Sequence, residues 1–395
     1  MEFETYQKLC LKFWDEYLKN IYNLTSNRRL TLGEGHLLYP NIALFTETKN
    51  HYIFELLGAS RSYEGLTSLK TKEKSSYRYF SQFGEKICNP LFNLGGRNNL
   101  VSTFILSRET DYKHIIKKFN IPELWFTHLS FPEEKGEGSV FSFKDSLESF
   151  NIKNCLLLNR YNEIYRIKHI LYLNIISKTH TKRNCVEDFH ILTKQSLNTT
   201  NNLFVIHFVP EDQIDKYVLS SQFLNFYLSP KQRETSIGKF LFNHPQILKK
   251  TLDCTDFLYE TNLEWIEKID SGEKYIRPDF MIKKDKGLYD ICELKTPLTE
   301  KKNITKGKHM RRRFIDDVME GVAQLSNYEE YFKYEKNIEY VYKNFGIRVE
   351  EPLLYLIVGN YSNTDEEEIM EAKRMLKSNY VIMDYDTLRS MYVLK

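Results

Sequence analysis

Residues 275–295, YIRPDFMI-KKDKG-LYDICELK, constrain the chain more than any other stretch. Two apolar runs flank a Lys/Asp/Gly turn, the pattern of a β-hairpin folding at Asp285 to Gly287. Asp279 follows Pro278, which fixes extended backbone at that point. Glu293 and Lys295 are two apart, so in a strand both leave the same face while Leu294 points the other way, into a core. Closing the hairpin brings Asp279 beside the Glu293/Lys295 face, so that two carboxylates and one amine converge.

The flanking sequence predicts the rest of an α/β domain. RETSIGKFLFNHPQILKKTL reads as a helix broken at Pro245. KHMRRRFIDDVMEGVAQLSNYEEYFKYEK reads as one long helix, PLLYLIVGN as a buried strand, EEEIMEAKRMLK as a charged amphipathic helix and YVIMDYDTL as a last strand. The order is α, β, β, α, β, α, β, a central mixed sheet flanked by helices. The first half is α+β and β-rich. A helix over residues 1–25 precedes short strands from Arg29 to Ser60, a polar stretch with a Gly95-Gly96 turn, and further candidates such as VSTFILS, SVFSF, CLLLN and ILYLNIIS. The polar run LTKQSLNTTNNL at 192–203 is the linker candidate. It places an N-terminal regulatory or sensing region at 1–205, with room for two subdomains, and a second domain at 206–395 with its core from 232.

Composition excludes more than it selects. A net charge of +3, from 56 basic and 53 acidic residues, is too small to prove a nucleic-acid partner, so any electrostatic case rests on local clustering. Cysteines at 10, 88, 155, 185, 254 and 292 form no CxxC pair and suit a reducing compartment. The N-terminus mixes acids and bases without a signal-peptide core, and no run approaches the roughly 20 apolar residues of a membrane span. A cytoplasmic protein that avoids membranes is expected. His180, Cys185 and His190 fit no common zinc spacing and lack a fourth ligand. Gly33-Glu34-Gly35-His36 reads as a turn rather than a phosphate loop.

The converging group has a chemical use. Two carboxylates can hold a hard divalent cation such as Mg²⁺, with Mn²⁺ as a substitute and waters completing its shell. Beside them Lys295 can orient a nucleophile and offset negative charge on a phosphate. Glu234, on the preceding helix, could add a third acid. Gln324 and Tyr328 are four apart on one helical face, where they could position Lys295, a water or a phosphate. The segment 296–313 has seven Lys/Arg against one acid. Lys301, Lys302, Lys306, Arg311, Arg312 and Arg313 are the candidate phosphate contacts, against a plain solvated loop. Arg277 could serve a phosphate or pair with an acid. Asp316-Asp317 reads as a surface acid pair on a helix.

Pro278-Asp279, Glu293-Leu294-Lys295 and Gln324 to Tyr328 resemble the PD-(D/E)xK nuclease superfamily with the QxxxY motif of its RecB-like branch. More narrowly, ExxxxxFLxxxP from Glu234, RPDF, ELKxP, AQLxxY and a strand ending in Gly359 resemble the nuclease domain of Shedu anti-phage defence proteins, over roughly 160 residues. The resemblance implies a restriction-endonuclease-like fold, Mg²⁺-dependent DNA cleavage, a homo-oligomer (a tetramer in that family) and action against phage, with Asp279, Glu293 and Glu234 as metal ligands, Lys295 and Gln324 as catalytic partners, and Tyr328 at the DNA. A repair or recombination nuclease, and a non-catalytic DNA-binding assembly protein retaining the fold, are the competing readings.

Overall fold

The computed structural model describes residues 1–27, 35–72, 103–118, 126–131, 149–161, 164–194, 203, 206–229, 233–267 and 274–394. The Gly95-Gly96 turn, SVFSF, Gly33-Glu34 and most of the 192–203 linker lie outside these residues. Two compact units emerge, residues 1–159 with 167–225, and residues 160–166 with 226–395. No described helix is long and apolar enough to cross a membrane.

The first unit is β-rich. Its strands are β1 (His36–Leu38), β2 (Ile42–Glu47), β3 (His51–Leu57), β4 (Thr67–Lys72), β5 (Thr103–Arg108), β6 (Phe126–Phe131), β7 (Ser149–Tyr161), β8 (Ile164–Ser177) and β9 (His207–Val209). Among the described residues they form a mixed sheet in the order β4-β2-β3-β8-β7-β5-β6, with β1 and β9 paired separately. Helix α1 (Phe3–Ser26) buries Tyr6, Cys10, Trp14, Tyr17, Leu18 and Ile21, the three-to-four spacing of one helical face. Those side chains share a core with Phe45, Phe54 and Tyr172 of the sheet. Helices α2 (Glu109–Lys118), α3 (Lys182–Thr193) and α4 (Ile214–Leu228), with a 3-10 turn at Glu211–Gln213, complete the described elements, the end of α4 belonging to the second unit. Inside the sheet Lys168 Nζ stands 2.7 Å from Glu55 Oε1, both side chains almost fully buried.

The second unit is α/β. Helices α5 (Glu234–Asn243) and α6 (Gln246–Thr251) break at Pro245, as the sequence predicts. Strands β10 (Asp256–Tyr259), β13 (Phe280–Lys283), β14 (Tyr289–Leu294), β17 (Leu354–Ile357) and β18 (Tyr380–Met383) form a mixed sheet in that order. The first three are antiparallel and the last three parallel. The hairpin between β13 and β14 turns at Lys284–Leu288, where Gly287 takes φ +75° and donates its N–H to Lys284 O at 2.8 Å. All six residues of β14 are buried, because it is a central strand covered on both faces. Small ribbons β11 (Leu263–Glu264) with β12 (Tyr275–Ile276), and β15 (Thr305–Lys306) with β16 (Arg313–Phe314), flank it. Helices α7 (Asp316–Tyr331), α8 (Glu335–Phe345), α9 (Glu366–Lys373) and α10 (Tyr385–Leu394) complete the unit.

Four expectations change. YIRPDFMI is two strands, because β12 pairs with β11 while β13 pairs with β10 and β14, and the chain changes partner across Arg277–Asp279. The long helix starts only at Asp316, since Arg313 and Phe314 are drawn into pairing with Lys306 and Thr305; it ends at Tyr331, and residues 335–345 form a separate helix. YVIMDYDTL is a strand followed by a helix. Asp384 Oδ1 accepts the Thr387 N–H at 2.8 Å and caps α10. Edge strand β10 has no counterpart in the predicted order.

Candidate functional site

The β13–β14 register pairs Phe280 with Cys292, so continuing it by one residue sets Asp279 opposite Glu293. Asp279 Oδ2 accepts the backbone N–H of Leu294 at 2.7 Å. Lys295 Nζ donates to Glu293 Oε1 at 3.2 Å, and Glu293 and Lys295 are each only 4 % exposed. Leu294 is fully buried. From α5, Glu234 Oε2 stands 3.4 Å from the same ammonium. The structure thus brings Asp279, Glu293, Lys295 and Glu234 into one cluster.

The charges in it are under tension. Burial pushes the Asp279 carboxyl up to about 6; the Leu294 N–H and the Lys295 charge work against that, and the Glu234 charge adds to it. Burial, then the Asp279 charge, pushes Glu293 up to about 8, with Lys295 opposing. Burial works against the Lys295 ammonium, but Glu293 and Glu234 hold its pKa above the ordinary lysine value. Lys295 therefore stays cationic at neutral pH.

Several neighbours that the sequence did not mark hold this cluster in place. Tyr385 Oη donates to Lys295 O at 2.7 Å, tying the end of the ELK segment to the first residue of α10. Gly321 of α7 lies against the Lys295 stem and Leu356. Gly238 lies against the Tyr259 ring, so α5, which carries Glu234, approaches β10 closely. Glu260, whose charge also raises Asp279, sits at the end of β10 and takes a bond from Tyr259 Oη at 2.8 Å. A lone Gly, Glu or Tyr carries no periodic or spacing signal, so only the folded contacts reveal these roles.

The two residues of the helical motif separate. Gln324 Oε1 is buried and accepts no hydrogen bond among the described residues. Tyr328 is 7 % exposed and its hydroxyl donates to Arg277 O at 3.3 Å, so it buttresses the RPDF turn instead of presenting a surface to DNA. Arg277 itself is half exposed, 3.9 Å from Glu260 Oε2.

The basic segment divides similarly. Arg312 is 16 % exposed and spans Glu368 at 2.8 Å and Glu371 at 3.0 Å on α9, a structural clamp that corrects its grouping with the phosphate contacts. Lys306 pairs with Asp316 at 2.6 Å and Lys301 with Asp317 at 3.7 Å. Those acids occupy the first turn of α7, where the helix dipole favours them. The paired lysines line a groove of about 470 Å³ with Lys302 and Asn303. Lys302, Arg311 and Arg313 form no ion pair among the described residues and are exposed.

The cluster fits a small divalent cation. Glu293 Oε2 is buried without a hydrogen-bond partner, and burial raises both adjacent carboxyls, Glu293 far enough to keep its proton at neutral pH despite the Lys295 charge. Two carboxylates with several waters are a Mg²⁺ donor set rather than a protein cage. Among the described residues no three His, Cys, Asp or Glu side chains form a ready ligand group; Glu234 turns to Lys295 instead.

Residues 231–388 match the family described as Shedu protein SduA, C-terminal, a span that contains the whole cluster. No curated protein matches the chain.

Proposed function

We propose that the second unit is a metal-dependent DNA endonuclease of the restriction-endonuclease-like, PD-(D/E)xK type, acting on phage DNA, with the first unit regulating it. The reading rests above all on Asp279 facing Glu293 across the hairpin while Lys295 lies 3.2 Å from Glu293. The match to the Shedu C-terminal family supports the defensive role.

Asp279 and Glu293 would hold Mg²⁺ or Mn²⁺. The bound ion would acidify water and neutralise charge on the scissile phosphate. The protein's own part follows from the geometry. Near neutral pH Asp279 is already largely ionised, and Glu293 would give up the proton that burial lets it keep. Lys295, kept cationic by Glu293 and Glu234, acts as a fixed positive charge beside the phosphate and not as a proton acceptor. Glu234 steers that ammonium from α5. Gln324, its buried carbonyl oxygen unsatisfied, would accept a hydrogen bond from an incoming water.

Incubation of the purified full chain with circular and linear DNA, in Mg²⁺ or in EDTA, tests this directly. Nicking or cutting that requires the metal is the expected result. Binding without cleavage on every substrate and metal would leave a DNA-binding protein that keeps the fold.

A further inference from the structure

The ribbon β15–β16 ends in a tip, residues 307–312, that the cluster chemistry does not use. Met310 at its apex is 84 % exposed. Nothing in the fold explains so much apolar surface in water, and the tip is built to hold it there. Gly307 takes φ +90°, and a Cβ on it would meet Arg311 O at 2.4 Å. Arg311 N–H donates to Lys308 O at 3.1 Å and Arg312 N–H to His309 O at 2.9 Å, closing a single helical turn. His309 sits at φ +49°. At the root, Arg312 grips Glu368 and Glu371, while Thr305 Oγ1 donates to Glu368 Oε2 at 2.6 Å and Asn303 Nδ2 at 3.0 Å. These bonds order the tip before any partner arrives.

Around Met310 the surface is cationic. Lys308 and Arg311 flank it within the tip, Arg313 follows on β16, and all three are exposed. Arg374 reaches Met310 Sδ through Nη1 at 3.4 Å. The acids nearby, Glu368 and Glu371, are engaged at the root by Arg312. An apolar, unbranched side chain carried on a stiff basic tip has the form of a wedge. Proteins that kink duplexes insert Met, Leu or Phe between base steps from the minor groove while cations hold the adjoining phosphates.

We infer that the β15–β16 tip is a DNA-binding finger whose Met310 inserts between base pairs while Lys308, Arg311 and Arg313 hold the backbone. The inference rests on the reading of the second unit as a DNA enzyme. It adds a consequence that the cleavage chemistry lacks: the protein unstacks its substrate. Easily unstacked sites, such as TA steps, are the preferred seats.

The test uses the full chain in EDTA with a short duplex carrying 2-aminopurine at a central TA step, whose fluorescence rises on unstacking. Binding of the unaltered protein should raise the signal. Met310→Ala should abolish the rise and weaken affinity by about tenfold, with the salt dependence of binding unchanged because no cation is lost. Arg311→Ala should keep the rise at saturation and lower the salt slope by about 1. A signal that stays flat with the unaltered protein, or that survives in Met310→Ala, overturns the wedge. So does a Met310→Ala protein that changes only in self-association by light scattering, which would make the tip a protein contact. The plasmid assay is scored separately: metal-dependent cutting with no fluorescence change sinks the wedge and leaves the nuclease, whereas a fluorescence change without cutting does the reverse.

Discussion

Gly321 lies directly on the stem of Lys295: a Cβ there would stand 3.2 Å from both Lys295 Cγ and Cε, and 2.6 Å from Leu356 Cδ1. The helix can approach β14 this closely only because residue 321 has no side chain. The ammonium is thereby confined between Glu293 and Glu234.

Gly321→Ala should therefore misplace Lys295 without touching its charge. Overpacking of this kind costs about 1–3 kcal/mol, read as a lower midpoint in urea. The single-turnover cleavage rate should fall by roughly 10²-fold, the scale on which misplacement acts, while the DNA dissociation constant stays near the original. An unchanged rate would show that the stem of Lys295 has room to spare.

Asp279→Asn and Glu293→Gln should each remove cleavage, by at least roughly 10²-fold, and leave DNA binding and the fold in place. Glu293→Gln should also match or exceed the parent in stability without metal, since it replaces a buried acid that keeps its proton up to about pH 8. Lys295→Ala differs. It strips a buried pair of one partner, which costs about 3–5 kcal/mol when the other stays charged. Protonation of Glu293 softens this loss at acidic pH. Denaturant titrations at pH 6 and pH 9 separate the cases.

The two acids also make stability depend on pH in a definite sense. Both have folded pKa values above their ordinary ones, about 6 against 3.8 for Asp279 and about 8 against 4.5 for Glu293. Their contribution is greatest below about pH 4 and is lost as pH rises through 6 and then 8. In EDTA, the second unit's melting temperature, compared with that of Glu293→Gln, should fall across that window. Mg²⁺ should restore it, most at the alkaline end, and its binding should release protons at pH 7 in calorimetry across buffers of different ionisation heat. Metal binding independent of pH between 6 and 8 would place the ion elsewhere.

Arg311, Arg312 and Arg313 are adjacent in sequence but not alike in role. Alanine at 311 or 313 should each lower the salt slope of DNA binding by about 1 and leave stability alone. Alanine at 312 should instead destabilise by about 1–3 kcal/mol, because its charge-assisted bonds to Glu368 and Glu371 anchor the ribbon. Equal salt effects at all three positions would undo this division.

What the sequence conveyed and what it hid follow from the range of each interaction. The hairpin was legible because its determinants are local: a period of two, a Lys/Asp/Gly turn, and a residue pair two apart. The approach of Asp279 to Glu293 follows from that register alone. The break at Pro245 was legible for a similar reason, the missing N–H of one residue. The start of α7 was not. Residues 309–315 are compatible with a helix, and it is pairing of Arg313 and Phe314 with β15 that takes them out of it. The burial of Tyr328, the clamp at Arg312 and the support from Gly321, Gly238 and Tyr385 depend on contacts between distant segments, which no window of sequence contains.

The bond from Tyr385 to the Lys295 carbonyl joins residues 90 apart. It sets an order of events during synthesis. A growing chain displays Asp279, Glu293 and Lys295 while the segment that braces them has yet to be made, a gap of roughly 5–20 s at ordinary translation rates. Through that interval the strand end at Lys295 lacks its tyrosine brace, so the cluster is held in its final geometry only once translation has passed residue 385.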